Sequence, residues 1–199
     1  MTQGSDATGD VYYRAASGKL TRLATGADGT VLTSTGAGAV PAFEAIPAGS
    51  ITEADSWNLT ANNADNGDIT ANWARVTAYG QIGTGLGESS GIFSFPSLGI
   101  WLISVQGMFT VRTSTDYYDL NLLFTVNNSD YNPLATAGGG NGITNISPNN
   151  NISLVTMIDV TNISNVKFKW NLSSMSNSTL LGDTTYYYTR FVAIRLGDT

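Results

Sequence analysis

The sequence predicts an all-β protein, a two-layer sandwich preceded by an extended N-terminal segment, and three observations carry that expectation. Apolar residues alternate with polar ones at period two in segment after segment, no stretch sustains a 3.6-residue period, and Gly, Thr, Ser and Asn punctuate the chain where turns are needed. The clearest alternation lies in Ser90 to Phe109 and just beyond it. Trp101, Ile103, Val105, Phe109 and Val111 fall on one face of a strand, and Ser104, Gln106, Thr110 and Arg112 on the other. Phe93 and Phe95 repeat the pattern in the preceding strand. Between the two, Pro96 lacks the N–H a ladder would use and Gly99 is free to take positive φ, so the chain stops there and turns into a new strand.

The same reading extends to the C-terminus. Leu120, Leu122, Phe124 and Val126 share one face of a strand, as do Val166, Phe168, Trp170 and Leu172, with Lys167, Lys169 and Asn171 facing outward. Ile152 to Val160 is apolar on both parities, which predicts a strand covered on both sides. A last strand is expected over Thr185 to Leu196, with Val192, Ile194 and Leu196 opposite Ala193 and Arg195. In that strand Tyr187 would oppose Tyr186 and Tyr188. Residues 1 to about 50 hold few bulky side chains, apart from Tyr12, Tyr13, Leu20, Leu23, Val31, Leu32, Phe43 and Ile46. At ~25 cal/mol per Å² so little apolar area sustains no independent core, and the segment should be ordered by packing on something else. The domain expectation is therefore 1–50 as an attachment segment and 51–199 as a head.

Composition excludes several function classes. The 199 residues contain no His and no Cys, which removes Ser/His/Asp, Cys/His and thiolate chemistry, and the commonest ligands of catalytic zinc. Nine Lys plus Arg against 15 Asp plus Glu give a net charge of −6, unsuited to nucleic acid or an anionic membrane surface. No apolar run approaches the ~20 residues of a membrane span, and the N-terminus lacks the basic and apolar regions of a secretion signal. Neither membrane insertion nor nucleic-acid binding is expected, and no cofactor, metal or catalytic residue is assigned.

Two resemblances sharpen the expectation. Gly91, Phe93, Pro96, Gly99 and Trp101 stand as in the signature of the C1q/TNF-like jelly roll, and the segment from about residue 57 to the C-terminus is similar to that fold, its last apolar strand included. The resemblance implies a homotrimer in which aromatic and aliphatic side chains meet about an axis. The residues that serve either the trimer contact or the sandwich core are Phe93, Phe95, Trp101, Ile103, Val105, Phe109, Tyr186, Tyr187, Tyr188, Val192 and Ile194. In the N-terminal segment Gly9, Asp10, Tyr13, Arg22, Leu23, Gly26, Gly29, Leu32, Pro41 and Phe43 resemble a module found near the start of bacteriophage tail-fibre and other virion proteins. Phe43 takes the place of the usual Trp. That resemblance implies attachment to other virion proteins through residues 1–50, with Asp10, Tyr12, Tyr13, Arg22, Leu23, Leu32 and Phe43 as contact candidates.

The function expected from these readings is a non-enzymatic structural protein on the surface of a phage particle. It would be a short trimeric fibre, a head fibre or a capsid decoration protein whose jelly-roll head serves adhesion or stabilisation. A tail receptor-binding protein or lectin recognising host surface glycan is the alternative, followed by a secreted C1q-like adhesin or a glycan-cleaving spike. Asp116, Tyr117, Tyr118 and Asp119 are candidate glycan contacts, since a tyrosine ring can stack on a sugar while a carboxylate accepts its hydroxyls; the other reading is an ordinary strand entry. The run Asn62, Asn63, Asp65, Asn66 and Asp68 offers oxygen donors of the calcium-binding kind at a spacing that fits no known loop, and reads otherwise as a polar turn.

Overall fold

The computed structural model describes residues 6–45, 51–111, 117–140 and 149–199. Arg112, Asp116 and Ile46, named above, lie outside them. The chain divides into two compact units, Met1–Ser50 and Ile51–Thr199. No described helix is long and apolar enough to cross a membrane.

The first unit is a pair of two-stranded antiparallel hairpins, β1 (Val11–Arg14) with β2 (Leu20–Leu23) and β3 (Thr30–Thr33) with β4 (Ala42–Ala45). None of its described residues is buried. Polar contacts hold it instead. Asp10 accepts hydrogen bonds from Arg22 Nε at 2.5 Å, Ala7 N at 2.7 Å and Thr25 N at 3.0 Å, tying the start of the first hairpin to its end. Gly26 is required by contact, because a Cβ there would come within 2.6 Å of Phe43.

The second unit is the sandwich. Its strands are β5 (Ala54–Leu59), β6 (Gly67–Asp68), β7 (Trp73–Arg75), β8 (Gly87–Ser89), β9 (Ile92–Ser94), β10 (Gly99–Thr110), β11 (Tyr117–Thr125), β12 (Asn132–Gly140), β13 (Asn149–Val160), β14 (Lys167–Ser173), β15 (Thr179–Leu180) and β16 (Arg190–Gly197). One sheet runs β13-β10-β16-β5-β7, with β15 added beside β10; the other runs β12-β11-β14-β9-β8, with β6 beside β14. The long strands cross between the layers, except that β11 and β12 are neighbours in one sheet, and every strand pairing within the two sheets is antiparallel. The Pro-Ser-Leu-Gly break is one such crossing, carrying the chain from β9 in one sheet to β10 in the other.

Its glycines show why the break has this form. Gly99 has φ +126°, and a Cβ would lie 2.2 Å from the Gly197 carbonyl oxygen. Gly91 has φ +78° in the tight β8–β9 turn, and a Cβ would lie 2.1 Å from the Ile69 carbonyl oxygen. Each glycine thus meets two demands, a left-handed backbone and a close approach of neighbouring chain.

The core is aromatic. Phe93 stands at its centre, stacked on Phe168 at 5.1 Å and edge-on to Phe191 at 4.8 Å, Trp57 at 5.3 Å and Trp73 at 5.7 Å. Such pairs add roughly 0.5–1.5 kcal/mol each beyond area burial. Trp101, Ile103, Val105, Phe109 and Val111 are all buried, as are Val166, Phe168, Trp170 and Leu172, so period two places both sets inward. Asp55 closes one edge of the core. Its buried carboxylate accepts from Arg75 Nε at 3.0 Å, Trp57 Nε1 at 2.8 Å and Leu86 N at 2.8 Å, and so is fully paired, as a buried charge must be.

Three expectations need correction. The last strand begins at Arg190 rather than Thr185, because Asp183 Oδ1 takes the backbone N–H groups of Thr185 and Tyr186 and curls that stretch into a turn. Tyr186, Tyr187 and Tyr188 are therefore neither strand nor core, and Tyr187 has φ +50°. Within the strand the expected opposition holds, with Phe191 and Ala193 facing inward and Val192 and Ile194 pointing away from the core. Val126 follows the end of β11 and is exposed, while Phe124 packs at the core's edge. The strand Ile152 to Val160 is covered on one face alone within the chain: Ile152, Leu154, Ile158 and Val160 are buried, but Val155 and Met157 are 62% and 60% exposed.

Candidate functional site

The sheet β13-β10-β16-β5-β7 turns its inner face to the core, and its outer face carries more apolar side chains than water tolerates comfortably. The register aligns them in rows. Met157 pairs with Leu102, Leu102 with Ile194, Ile194 with Ala54, and Ala54 with Ile82, a line of five apolar residues crossing five chain segments. At about 4.8 Å per strand the row is roughly 19 Å long. The neighbouring row is Val155, Ser104, Val192 and Ser56.

This face has relief. At its β13 edge Val155 and Met157 stand proud. At the β16–β5 side Ala54, Ser56, Ile82, Val192 and Ile194 line a hollow of about 270 Å³, with Arg190 at its rim. Exposed apolar side chains and an apolar recess thus share one face at separate places. Leu102, Val155, Met157 and Ile82 are the residues the sequence reading missed as a site. Their signal was present: β10, β13 and β16 each carry aliphatic residues at the parity that alternation assigns to solvent.

The outer face of the other sheet is polar. Thr136, Asn121, Asn171 and Asp68 form a cross-strand row over β12, β11, β14 and β6. Thr136 Oγ1 donates to Asn121 Oδ1 at 2.7 Å, Asn121 Nδ2 to Ser173 Oγ at 2.9 Å, and Asn171 Nδ2 to Asp68 Oδ1 at 2.8 Å. Lys169 Nζ lies 2.6 Å from Asp68 Oδ2 and 4.3 Å from the Tyr131 ring centroid. Burial pushes the Asp68 carboxyl up, but the hydrogen bonds from Lys169 and Asn171 and the Lys169 charge outweigh it and hold the group below its ordinary value.

The candidates from the sequence are distributed as follows. Phe93, Phe95, Trp101, Ile103, Val105 and Phe109 lie in the core of a single chain; Val192 and Ile194 lie on the outer apolar face. Tyr118 is buried and stacks on Phe109 at 4.2 Å, so it presents nothing to a glycan; Tyr117 is 64% exposed, and Asp119 leans over Gly138. Asp116 lies outside the described residues. The calcium reading of the Asn/Asp run loses its donors to the fold: Asn66 Oδ1 accepts from Met175 N at 2.9 Å, Asn63 Oδ1 from Asp65 N at 2.9 Å, and Asp68 is paired with Lys169. Among the described residues no group of three His, Cys, Asp or Glu side chains could hold a metal.

In the N-terminal unit Asp10 and Arg22 pair with each other, and the Ala7 N–H followed by the Arg22 guanidinium keeps the Asp10 carboxyl below its ordinary value. Tyr13, Leu23 and Phe43 are half-buried, whereas Tyr12 and Leu32 are exposed, as are Leu20, Val31 and Val40. Leu32, Thr33, Ser34, Ala39 and Pro41 line an open hollow of about 320 Å³.

No family model matches the sequence, and no curated protein is similar to it. Solved structures are. The chain is similar to the Eiger TNF of S. frugiperda at 13% identity, with a TM-score of 0.59 over 75% of this chain and 96% of that one. It is similar to murine APRIL at pH 5.0, also at 13% identity, with a TM-score of 0.55 over 72% of this chain and 98% of that one. With the sheet orders above, these matches give the chain the jelly-roll sandwich fold of the C1q/TNF-like proteins.

Proposed function

We propose that the chain is a non-enzymatic structural protein of a bacteriophage virion. Residues 51–199 form a homotrimeric head, and residues 1–50 hold it on the particle through other virion proteins. The head presents its loops outward for adhesion or stabilisation, as a short fibre, head fibre or capsid decoration protein.

The observation that carries this reading is the outer apolar face. Its exposed side chains (Val155, Met157) and its recess (Ala54, Ile82, Val192, Ile194) lie on one face, which contact between copies would cover. A contact repeated head-to-tail closes into a ring where its rotation allows, and three copies are what the jelly-roll resemblance implies. The attachment role rests on the N-terminal module resemblance, and a unit with no buried described residue and five exposed aliphatics and aromatics suits docking onto a larger body.

Light scattering on the full chain tests the assembly: the mass should be three times 21.0 kDa at micromolar concentration, and a stable monomer sinks the trimer. Antibody labelling of intact particles tests the location. Label on the capsid selects decoration or a head fibre, label on the tail selects a fibre, and no label overturns the virion reading.

A further inference from the structure

The loop from Gly182 to Thr189 has more structure than a connection between β15 and β16 requires. Leu59, itself buried, closes it: the Leu59 carbonyl accepts from Asp183 N at 2.9 Å, and Leu59 N donates to the Thr189 carbonyl at 2.9 Å. Asn58 Nδ2 donates to the Asp183 carbonyl at 3.0 Å, and Gly182 N to Asn62 Oδ1 at 3.0 Å. Inside that closure Asp183 Oδ1 accepts from Thr185 N at 2.6 Å and Tyr186 N at 2.8 Å. Tyr187 sits at φ +50°, a backbone state that bulky residues adopt at a cost.

The product of this fixing is an aromatic platform. The rings of Tyr186 and Tyr188 stack at 5.6 Å with 20° between their planes, and Tyr186 is 70% exposed. One face of the Tyr186 ring is thus covered by Tyr188, and the residue remains open to solvent, flanked by the exposed hydroxyl residues Thr184 and Thr185.

The platform also has a position. Ile194 pairs with Ala54 and Arg195 N bonds the Glu53 carbonyl, so the head's first residues lie at the end of the sandwich marked by Gly99 and Gly197. Leu181 N bonds the Met108 carbonyl, which puts the tyrosine loop at the other end of β10, about 30 Å away at 3.3 Å per residue. Tyr117, 64% exposed, belongs to that same end, where its carbonyl accepts from Ser178 Oγ at 3.0 Å just before β15.

We propose that this end of the head binds a neutral hexopyranose of a surface glycan, with the open face of Tyr186 stacking on the C–H face of the sugar ring. The proposal rests on the adhesive part of the function proposed above and names its ligand class. A ring pair held by a fixed loop loses little entropy on binding. One exposed ring covers about one sugar and is far smaller than the ~800 Å² per partner that a stable protein contact buries, which favours a saccharide over a protein. The net charge of −6 and the Asp183 carboxylate in the same loop disfavour an acidic sugar. Weak single-site binding suffices where three heads act together.

Saturation-transfer NMR on the full chain, with the methyl glycosides of glucose, galactose, mannose and N-acetylglucosamine as probes, decides the matter. At least one glycoside should receive saturation at its ring protons. Tyr186→Ala should weaken that binding at least about tenfold, Tyr186→Trp should retain it, and Asp183→Ala, which releases the Thr185 and Tyr186 N–H groups while the backbone bonds of Asp183 remain, should weaken it with the rings intact. Mass by light scattering should stay that of the wild type in all three. No saturation with any of the four glycosides, or unchanged binding in Tyr186→Ala, overturns the proposal. A Tyr186→Ala chain that loses its assembly also overturns it and assigns the ring to the contact between copies. None of these results changes what particle labelling and the mass of the unaltered chain say about the virion trimer.

Discussion

The two outer faces of the head come from the same rule and end in opposite chemistry. In each sheet, alternation sends one set of side chains into a shared aromatic core and the other set outward. On β13, β10, β16 and β5 the outward set includes Met157, Leu102, Ile194 and Ala54 in one row, with Val155 and Val192 beside it. On β12, β11, β14 and β6 the outward row is Thr136, Asn121, Asn171 and Asp68, whose polar atoms largely satisfy one another. Period two decides which residues the core receives. The identity of the leftover set decides whether the opposite face rests against water or needs another surface, and here the two faces give different answers.

The largest expected effect comes from charging the apolar face. Ile194→Glu places a carboxylate in the middle of the row, where contact between copies would bury it without a partner, at a cost of about 3–5 kcal/mol. Association should weaken by ~100-fold or more, and light scattering at micromolar concentration should report single chains. Thr136→Glu makes the same change on the polar face and should leave the mass untouched. Equal behaviour of the two variants would abolish the contrast.

A smaller effect is expected within the polar row. Asn121 is 9% exposed, accepts from Thr136 and donates to Ser173. Asn121→Ala leaves those partners short and should cost about 1–2 kcal/mol, read as a drop in thermal midpoint of roughly 2–4 °C per kcal/mol, with no change in mass. A change in assembly would mean that the polar face also meets another copy.

The core was legible in the sequence, and the outer faces only partly. Trp101, Phe109, Phe168 and Trp170 were assigned by period two alone, since large apolar residues at one parity admit a single placement in a sandwich. Gly91 and Gly99 were legible as signature residues, though the carbonyl oxygens that exclude a Cβ belong to Ile69 and Gly197, remote in sequence. In the last strand period two separates Val192 and Ile194 from Ala193 but does not say which set turns inward; the largest side chain, Phe191, shares the parity of Ala193 and takes the core position. The tyrosine run alternates like a strand in the sequence but folds as a turn, because one carboxylate, Asp183, captures two backbone N–H groups that a strand would use. Such capture depends on where Leu59 and Asn58 hold Asp183, and local sequence does not contain that.

The smallest effect concerns acid. Asp68 is the charged member of the polar row, and Lys169 and Asn171 hold its carboxyl below the ordinary value of 3.8. A carboxyl whose pKa is lower folded than unfolded stabilises the fold fully above the unfolded value, and that contribution disappears as pH falls through the folded one. The Lys169–Asp68 pair is partly exposed, with side chains 18% and 35% accessible, so screening limits its worth to under about 1 kcal/mol. Thermal midpoints of the full chain and of Asp68→Asn, measured from pH 6 down to pH 2.5, should therefore differ slightly above about pH 4 and converge below it. The apolar row has no titrating member, so Ile194→Val should show the wild-type pH profile throughout. A gap between wild type and Asp68→Asn that widened toward low pH would place the charged form of Asp68 at a disadvantage in the fold, and the polar face would no longer be the self-satisfied one.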